Sequence, residues 1–363
     1  MRANRWKGME TGVLVALLAS ACSDPTAARA RLAPDAANAS VEGGVGIAAF
    51  AIVDLGTAAF LLNSRGNGIN FTGQMAGVSY NVTPAFDGRL TLWDAAGAHD
   101  FGVPAGFAAA YGNAINDFGD IVGNAESPNG RRGFVWTPAG GFSILTGPPG
   151  ATDVQAWDIE ANNLLVVGEL TLGGSTHAYR WQVAGGYQDL HPAGYLSSHA
   201  ESIAPNGRVT GWAVTAAGDE HAVMWSPAGA YIDLGVIPGG MHSRSYDVSS
   251  NSTNVGEAED AAGAVVAMSR RPPAAMSGAP LVDSRAMGIS DLSRVVGWAP
   301  FGANAFRRAI SRRGVTAFSF LPKLAGTMLS EANEVNRCGT VVGSTTFANG
   351  FTHATRWVKS PCD

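Results

Sequence analysis

The stretch that decides the fold runs from Ile203 to Gly235. It reads Ile203-Ala204-Pro205-Asn206-Gly207-Arg208-Val209-Thr210-Gly211, then His221-Ala222-Val223-Met224-Trp225, then Tyr231-Ile232-Asp233-Leu234-Gly235. Each segment is a short run of strand formers, and Gly, Pro or Asn punctuates the joins. Ile203 marks a first strand, Pro205-Asn206-Gly207 turns it, and Val209-Thr210-Gly211 opens a second. A looser loop leads to a third strand ending on Trp225, and Ser226-Pro227-Ala228-Gly229 turns into a fourth. Four such strands form an antiparallel meander. A sheet this small cannot cover both its faces, so it needs copies of itself on either side.

The copies are present. A hydrophobic pair followed by Gly ends at Gly77, Gly123, Gly168, Gly211, Gly256, Gly297 and Gly343, spaced 41 to 46 residues apart. Eight residues before each Gly, or nine in the third unit, stands Ile69, Ile115, Ile159, Ile203, Val248, Ile289 or Val335. After each Gly a large third-strand residue follows: Trp93, Trp136, Trp181, Trp225, Met268, Ile310 and Trp357. Three markers held in phase over seven units identify a repeat architecture. About ten residues separate each fourth strand from the next first strand, which is the pattern of propeller blades. The expected fold is all-β: a seven-bladed β-propeller of four-stranded antiparallel blades. The third-strand aromatics should pack between blades. The seventh unit lacks a fourth strand, whereas Ile52-Val53-Asp54-Leu55-Gly56 is a fourth strand without a blade. The N-terminal segment is therefore predicted to complete the last blade, closing the ring and removing two open edges.

The ends of the chain carry other signals. Arg2, Arg5 and Lys7 precede the apolar run Val13–Ala19, as in a signal peptide over residues 1–21. Leu18-Ala19-Ser20-Ala21-Cys22 resembles a bacterial lipobox, which implies lipidation of Cys22, and Ser23 after it implies the outer membrane. Residues 22–44 read as a lipidated Cys and flexible tether, and 45–363 as the propeller. Cys338 and Cys362 fall near the closure seam and are expected to form a disulfide.

The net charge of −5, with only 15% charged residues and no basic run, argues against nucleic acid as a partner. No apolar run of eighteen residues spans a membrane, so membrane contact is expected through the lipid anchor alone. The chain of 363 residues contains 47 Gly and is 46% hydrophobic, which excludes disorder and predicts a large core. A monomer is expected.

The combination Ile-Asn-x-x-Gly-x-Val-Val-Gly, His-Ala-aromatic-x-Trp and Asp-Leu-Gly resembles the HAF repeat family of bacterial extracellular proteins. His177–Trp181, His221–Trp225 and His353–Trp357 match its naming segment, and Arg132–Trp136 is close. Blades five and six depart from it, with Ala264 and Phe306 read at the His position. The resemblance covers residues 47–362 and implies export and a repeat scaffold, with no catalytic or binding residues to transfer.

Candidate site residues follow from register. Loops entering first strands converge on the channel, and a recurring Ser-x-(Ala/Gly/Ser) opens many of those strands. Its second position is Arg65, Tyr111, Gln155, His199, Arg244, Arg285 and Glu331. This polar rim is the expected binding site for a glycan, a small acidic ligand or a protein. Replacing Arg65, Arg244 and Arg285 should abolish ligand retention with little effect on unfolding. The repeated His177, His221 and His353 lie on different blades and are expected to cap the loop before strand three. His191, His199 and His242 fall in inter-blade loops and are freer to act. No spacing suggests a metal site, and no cofactor is expected. Enzyme motifs such as Gly-x-Ser-x-Gly or a P-loop are absent from the sequence. Asp158 with Glu160, and Glu257 with Glu259, leave a polysaccharide hydrolase or lyase as an alternative to the binding module, and a purely structural surface protein as another.

Overall fold

The computed structural model describes residues 50–359 apart from 59, 83–86, 129, 303, 315 and 316. The expected signal peptide, Cys22 and the tether lie outside the described residues. Seven four-stranded antiparallel sheets form, in the strand order that a meander requires. Blades one to six span 63–102, 109–144, 152–189, 197–235, 243–282 and 285–320. Blade seven takes three strands from 327–359 and its fourth, Phe50–Gly56, from the other end of the chain. Ile52 lies opposite Trp357 and Asp54 opposite Thr355. The predicted closure is therefore the one observed.

First strands contact first strands all the way round, blade seven against blade one included, so they line the centre. Inner strands are covered on both faces: Ala109–Ile115 is buried along its whole length, whereas the outer strand Tyr231–Gly235 is largely exposed. This is why the second strands read as Val-Val-Gly rather than as an alternating pattern.

The recurrent Gly has a steric cause. Each first strand contains a register shift one residue after its rim position, for example between Ala200 and Ser202 or between Ala286 and Gly288. The bulge drives the rim residue's carbonyl onto the Gly of the neighbouring strand. A Cβ on Gly211 would sit 1.9 Å from the His199 carbonyl oxygen, and one on Gly297 2.0 Å from that of Arg285. The same clash recurs in all seven blades.

The recurrent Ser is a latch. Ser198, Ser243, Ser284, Ser330 and Ser64 each accept, at 2.8 to 3.1 Å, the amide of the third-strand Ala in the preceding blade: Ala178, Ala222, Ala267, Ala309 and Ala354. The other two seams are bridged from the bulge itself, where Asn67 donates to the Gly112 carbonyl and Asn113 to that of Ala156, each at 2.8 Å. These bonds pair buried backbone groups across the seams.

The aromatic at the end of strand three packs between blades, as expected. Trp225 donates to the Leu190 carbonyl at 2.7 Å and Trp357 to that of Pro322 at 2.8 Å. In blades five and six the register corrects the sequence reading by two residues. Trp225 lies opposite Val209, and the matching pairs are Arg270 with Asn254 and Arg312 with Val295. Met268 and Ile310 instead lie opposite Gly256 and Gly297. The His position is likewise Val266 and Arg308, not Ala264 and Phe306. In blade five the cause is residue type, since Arg270 follows Gly256 at the same distance as Trp225 follows Gly211 and a search for a large apolar marker passes over it; in blade six the connection is also one residue longer.

Candidate functional site

The seven rim residues occupy one register position in their first strands, and each carbonyl faces the blade's Gly. Six of the seven side chains belong to one chain of contacts. Gln155 Nε2 meets Glu169 at 3.2 Å, and the other Glu169 oxygen meets His199 Nδ1. His199 stacks on Trp212 with ring centroids 4.6 Å apart, and Arg244 lies 5.3 Å over the same ring. Arg244 donates to Glu220 at 2.6 Å and faces Glu257 at 3.6 Å. Glu257 also pairs with Arg285, which lies 5.1 Å over Trp298. Arg307 covers Trp298 at 4.2 Å and pairs with Glu331 at 2.9 Å. Glu331 reaches Arg65 at 4.0 Å, and Arg65 donates to Tyr80 at 3.3 Å. The belt thus passes through blades three, four, five, six, seven and one.

The cations of the rim are opposed by carboxylates: Arg65, Arg244, Arg285 and Arg307 alternate with Glu220, Glu257 and Glu331. Removing Arg244 would strand the shielded Glu220, so that variant is expected to lose stability. Burial works against charge on Arg244 and Arg285, but hydrogen bonding and attraction from Glu220 and Glu257 outweigh it and raise both guanidinium pKa values. The rim is also uneven. Tyr111, Gln155 and His199 are buried, and burial pushes the Tyr111 hydroxyl up. Arg65, Arg244, Arg285 and Glu331 are partly open, with the Arg285 side chain 33% exposed. The accessible part is an arc from blade five through blade one.

The histidines resolve differently. His199 lies inside the first strand Ser197–Ile203, not in a loop, and is held by Glu169. His191 is stacked on His177 at 4.2 Å, and burial followed by repulsion from His177 lowers its pKa. His242 accepts the Glu220 amide at 3.2 Å. His177, His221 and His353 each pair with a fourth-strand carboxylate, Asp189, Asp233 or Asp54, at 2.8 to 2.9 Å. Burial pushes Asp233 up, yet bonds from His221 and the Gly235 amide outweigh it and hold the carboxyl low. Blade one uses Arg89 with Asp100 at 2.8 Å in the same way. This lock explains why His-Ala and Asp-Leu-Gly recur together; the sequence contained both motifs but not their contact.

Three of the four candidate acid/base carboxylates have partners elsewhere. Asp158 accepts the amides of Ile159 and Ile203, Glu160 holds Asn163, and Glu257 serves the belt. No cluster of three potential metal ligands forms among the described residues. Cys338, in the turn between the first two strands of blade seven, is disulfide-bonded, and Cys362 lies outside the described residues.

No protein-family model matches the sequence, and no curated protein matches it. Solved structures do match its fold. The BP39L lectin from Burkholderia pseudomallei shares 13% identity at a TM-score of 0.51, covering 84% of this chain and 98% of the lectin. The β-propeller domain of the Trilobed protease from Pyrococcus furiosus shares 10% identity at 0.53, covering 81% and 95%. A prolyl endopeptidase structure shares 12% identity at 0.51, covering 79% of this chain but 47% of its own. The chain is a seven-bladed β-propeller. At these identities the likeness extends to the scaffold alone.

Proposed function

We propose that the protein is an exported, lipid-anchored binding module of the HAF repeat type that holds a glycan on the open arc of the polar belt. One observation carries this reading: the partly exposed Arg244, Arg285, Glu331 and Arg65, with the buried Glu257 between the first two, alternate donors and acceptors along the arc. A sugar hydroxyl both donates and accepts, so adjacent hydroxyls match adjacent rungs. A polyanion would meet Glu257 and Glu331 and gain less. A lectin is among the proteins that use this scaffold. In this reading Cys22 carries the lipid, residues 23–44 hold the propeller off the outer membrane, and a Cys338–Cys362 bridge secures the closing blade.

A glycan array probed with the full chain, and with Arg285→Gln and Glu331→Gln, tests the assignment. The expected result is retention of neutral, hydroxyl-rich glycans that falls about tenfold or more in each variant, as for loss of a hydrogen bond to a charged group. Retention that is unchanged in both variants overturns the belt as the site. New reducing or unsaturated ends on the bound glycan would overturn the non-enzymatic reading in favour of a hydrolase or lyase.

A further inference from the structure

The serine latches between blades end on an acceptor. Three of the latch serines pass their own proton to a backbone carbonyl: Ser64 to Gly56 at 2.5 Å, Ser243 to Gly235 at 2.6 Å, and Ser284 to Leu281. Gly56 and Gly235 close the Asp-Leu-Gly of the fourth strand and stand at φ of +61° and +64°, where glycine is not strained. Blade three ends on Asp189-Leu190-His191 instead. His191 does not take up that positive φ, and Leu190 bonds the Ala178 carbonyl without the register shift that brings Gly235 opposite Ala222. Ser198 turns to a side chain. His191 Nδ1 meets its hydroxyl at 3.0 Å, while the same oxygen accepts the Ala178 amide across the seam at 2.9 Å.

The second ring nitrogen fixes the tautomer. His191 Nε2 meets the Tyr195 carbonyl at 3.2 Å, and a carbonyl only accepts, so Nε2 carries the proton. Nδ1 is then bare, as the Ser198 hydroxyl requires. A proton added to Nδ1 sets donor against donor and takes that acceptor away. Few groups around the ring favour the added charge. His177, on the third strand, stacks on it at 4.2 Å. Asp189, on the fourth, accepts the His191 amide at 2.8 Å but already pairs with His177 at 2.8 Å. From the connection to blade four comes Tyr195, whose hydroxyl donates to Asp233 at 3.0 Å. Burial and then His177 push the His191 pKa down, and Asp189 does not reverse them.

We propose that His191 makes the seam between blades three and four an acid-sensitive joint, in which the neutral imidazole completes the Ser198 latch and its protonation opens it. The unfolded chain takes up this proton more readily than the folded one, so the joint's contribution is full above the unfolded His range, about 6.5. It is lost as the pH falls from there toward the lower folded value. A latch that ends on a backbone carbonyl has nothing to titrate. The joint is independent of the glycan reading.

Hydrogen–deuterium exchange of the full chain at about pH 8 and about pH 5, corrected for intrinsic exchange rates, provides the test. Ser175–Gln182 contains the Ala178 amide, and Glu220–Trp225 contains the Ala222 amide, whose latch ends on the Gly235 carbonyl. The expected result is that protection of the first segment, relative to the second, falls about threefold or more on acidification. In His191→Asn, which does not titrate, and in Ser198→Ala, which lacks the hydroxyl, that relative change is expected to disappear whatever the protection at about pH 8. Equal behaviour of the two segments in the unaltered chain overturns the proposal. A change that persists in His191→Asn assigns the acid response to His177 or His199, and one that persists in Ser198→Ala places it outside the latch; either overturns it too.

Discussion

Blade four and blade six share their inner half and differ in their outer half. Both have a bulged first strand whose rim carbonyl meets a second-strand Gly, and a Ser that latches onto the blade before it. Beyond that they part. Blade four locks strand three to strand four with His221 and Asp233, fills its seam with Trp225, and turns on Gly207. Blade six has Arg308 and Phe320 at the lock, Arg312 at the seam, and Ser293 at the turn. Blade five follows blade six with Val266, Arg270 and Ser252. The inner geometry is fixed by backbone contact and tolerates no exchange, whereas the outer strands are held by side-chain pairs that can be traded.

The strongest test of the shared half is to add one carbon to it. Gly211→Ala and Gly297→Ala each place a Cβ about 2 Å from a carbonyl oxygen, and because the obstruction is backbone, no rotamer change relieves it. Both variants are expected to lose more than about 4 kcal/mol and to yield little folded protein, read by near-UV circular dichroism and chemical unfolding. A stable Gly297→Ala would show that the inner halves are not equivalent.

The seam tests the half that differs. Trp225→Ala removes a fully buried indole and its bond to the Leu190 carbonyl, for an expected cost of about 3–5 kcal/mol. Arg312→Ala removes a partly exposed side chain that lies 4.7 Å over Phe318 and donates to Ser269 at 3.0 Å, for about 1–2 kcal/mol. Equal losses in urea titrations would mean that Arg312 seals its seam as well as Trp225 does.

These differences show what could be read in advance. The blade count, strand order and ring closure were legible because Gly, Ile and Trp recur at fixed distances and the N-terminal strand matches the missing one. The rim position was legible for the same reason, and the structure joins six of its seven residues. Their partners were not, since Glu169, Glu220 and Arg307 come from other strands at positions where most blades carry different residues. Nor could spacing show that His199 would be buried while Arg285 stayed open. In blades five and six the expectation of a large apolar residue misled, because the seam position there holds Arg270 and Arg312.

The finest test of the comparison lies in the turn between strands one and two. Blades one, two, four and seven place Gly73, Gly119, Gly207 and Gly339 there with φ between +77° and +85°. Each Gly amide bonds back three residues, as Gly207 does to the Ala204 carbonyl at 2.8 Å. Ser252 and Ser293 close the same turn at φ of +68° and +62° with the same bond, at 2.9 Å. A residue with a Cβ is strained in the left-handed region by about 1–2 kcal/mol, whereas glycine is not, although glycine loses more freedom on folding. Ser293→Gly should therefore stabilise the protein by about 0.5–1 kcal/mol, and Gly207→Ser should destabilise it by a similar amount. The Ser290 and Ala204 carbonyls keep their amide partners in the two variants, so the change isolates backbone strain from hydrogen bonding. If Ser293→Gly leaves the urea midpoint where it was, the turn of blade six is already relaxed, and its departure from blade four is confined to side-chain pairs.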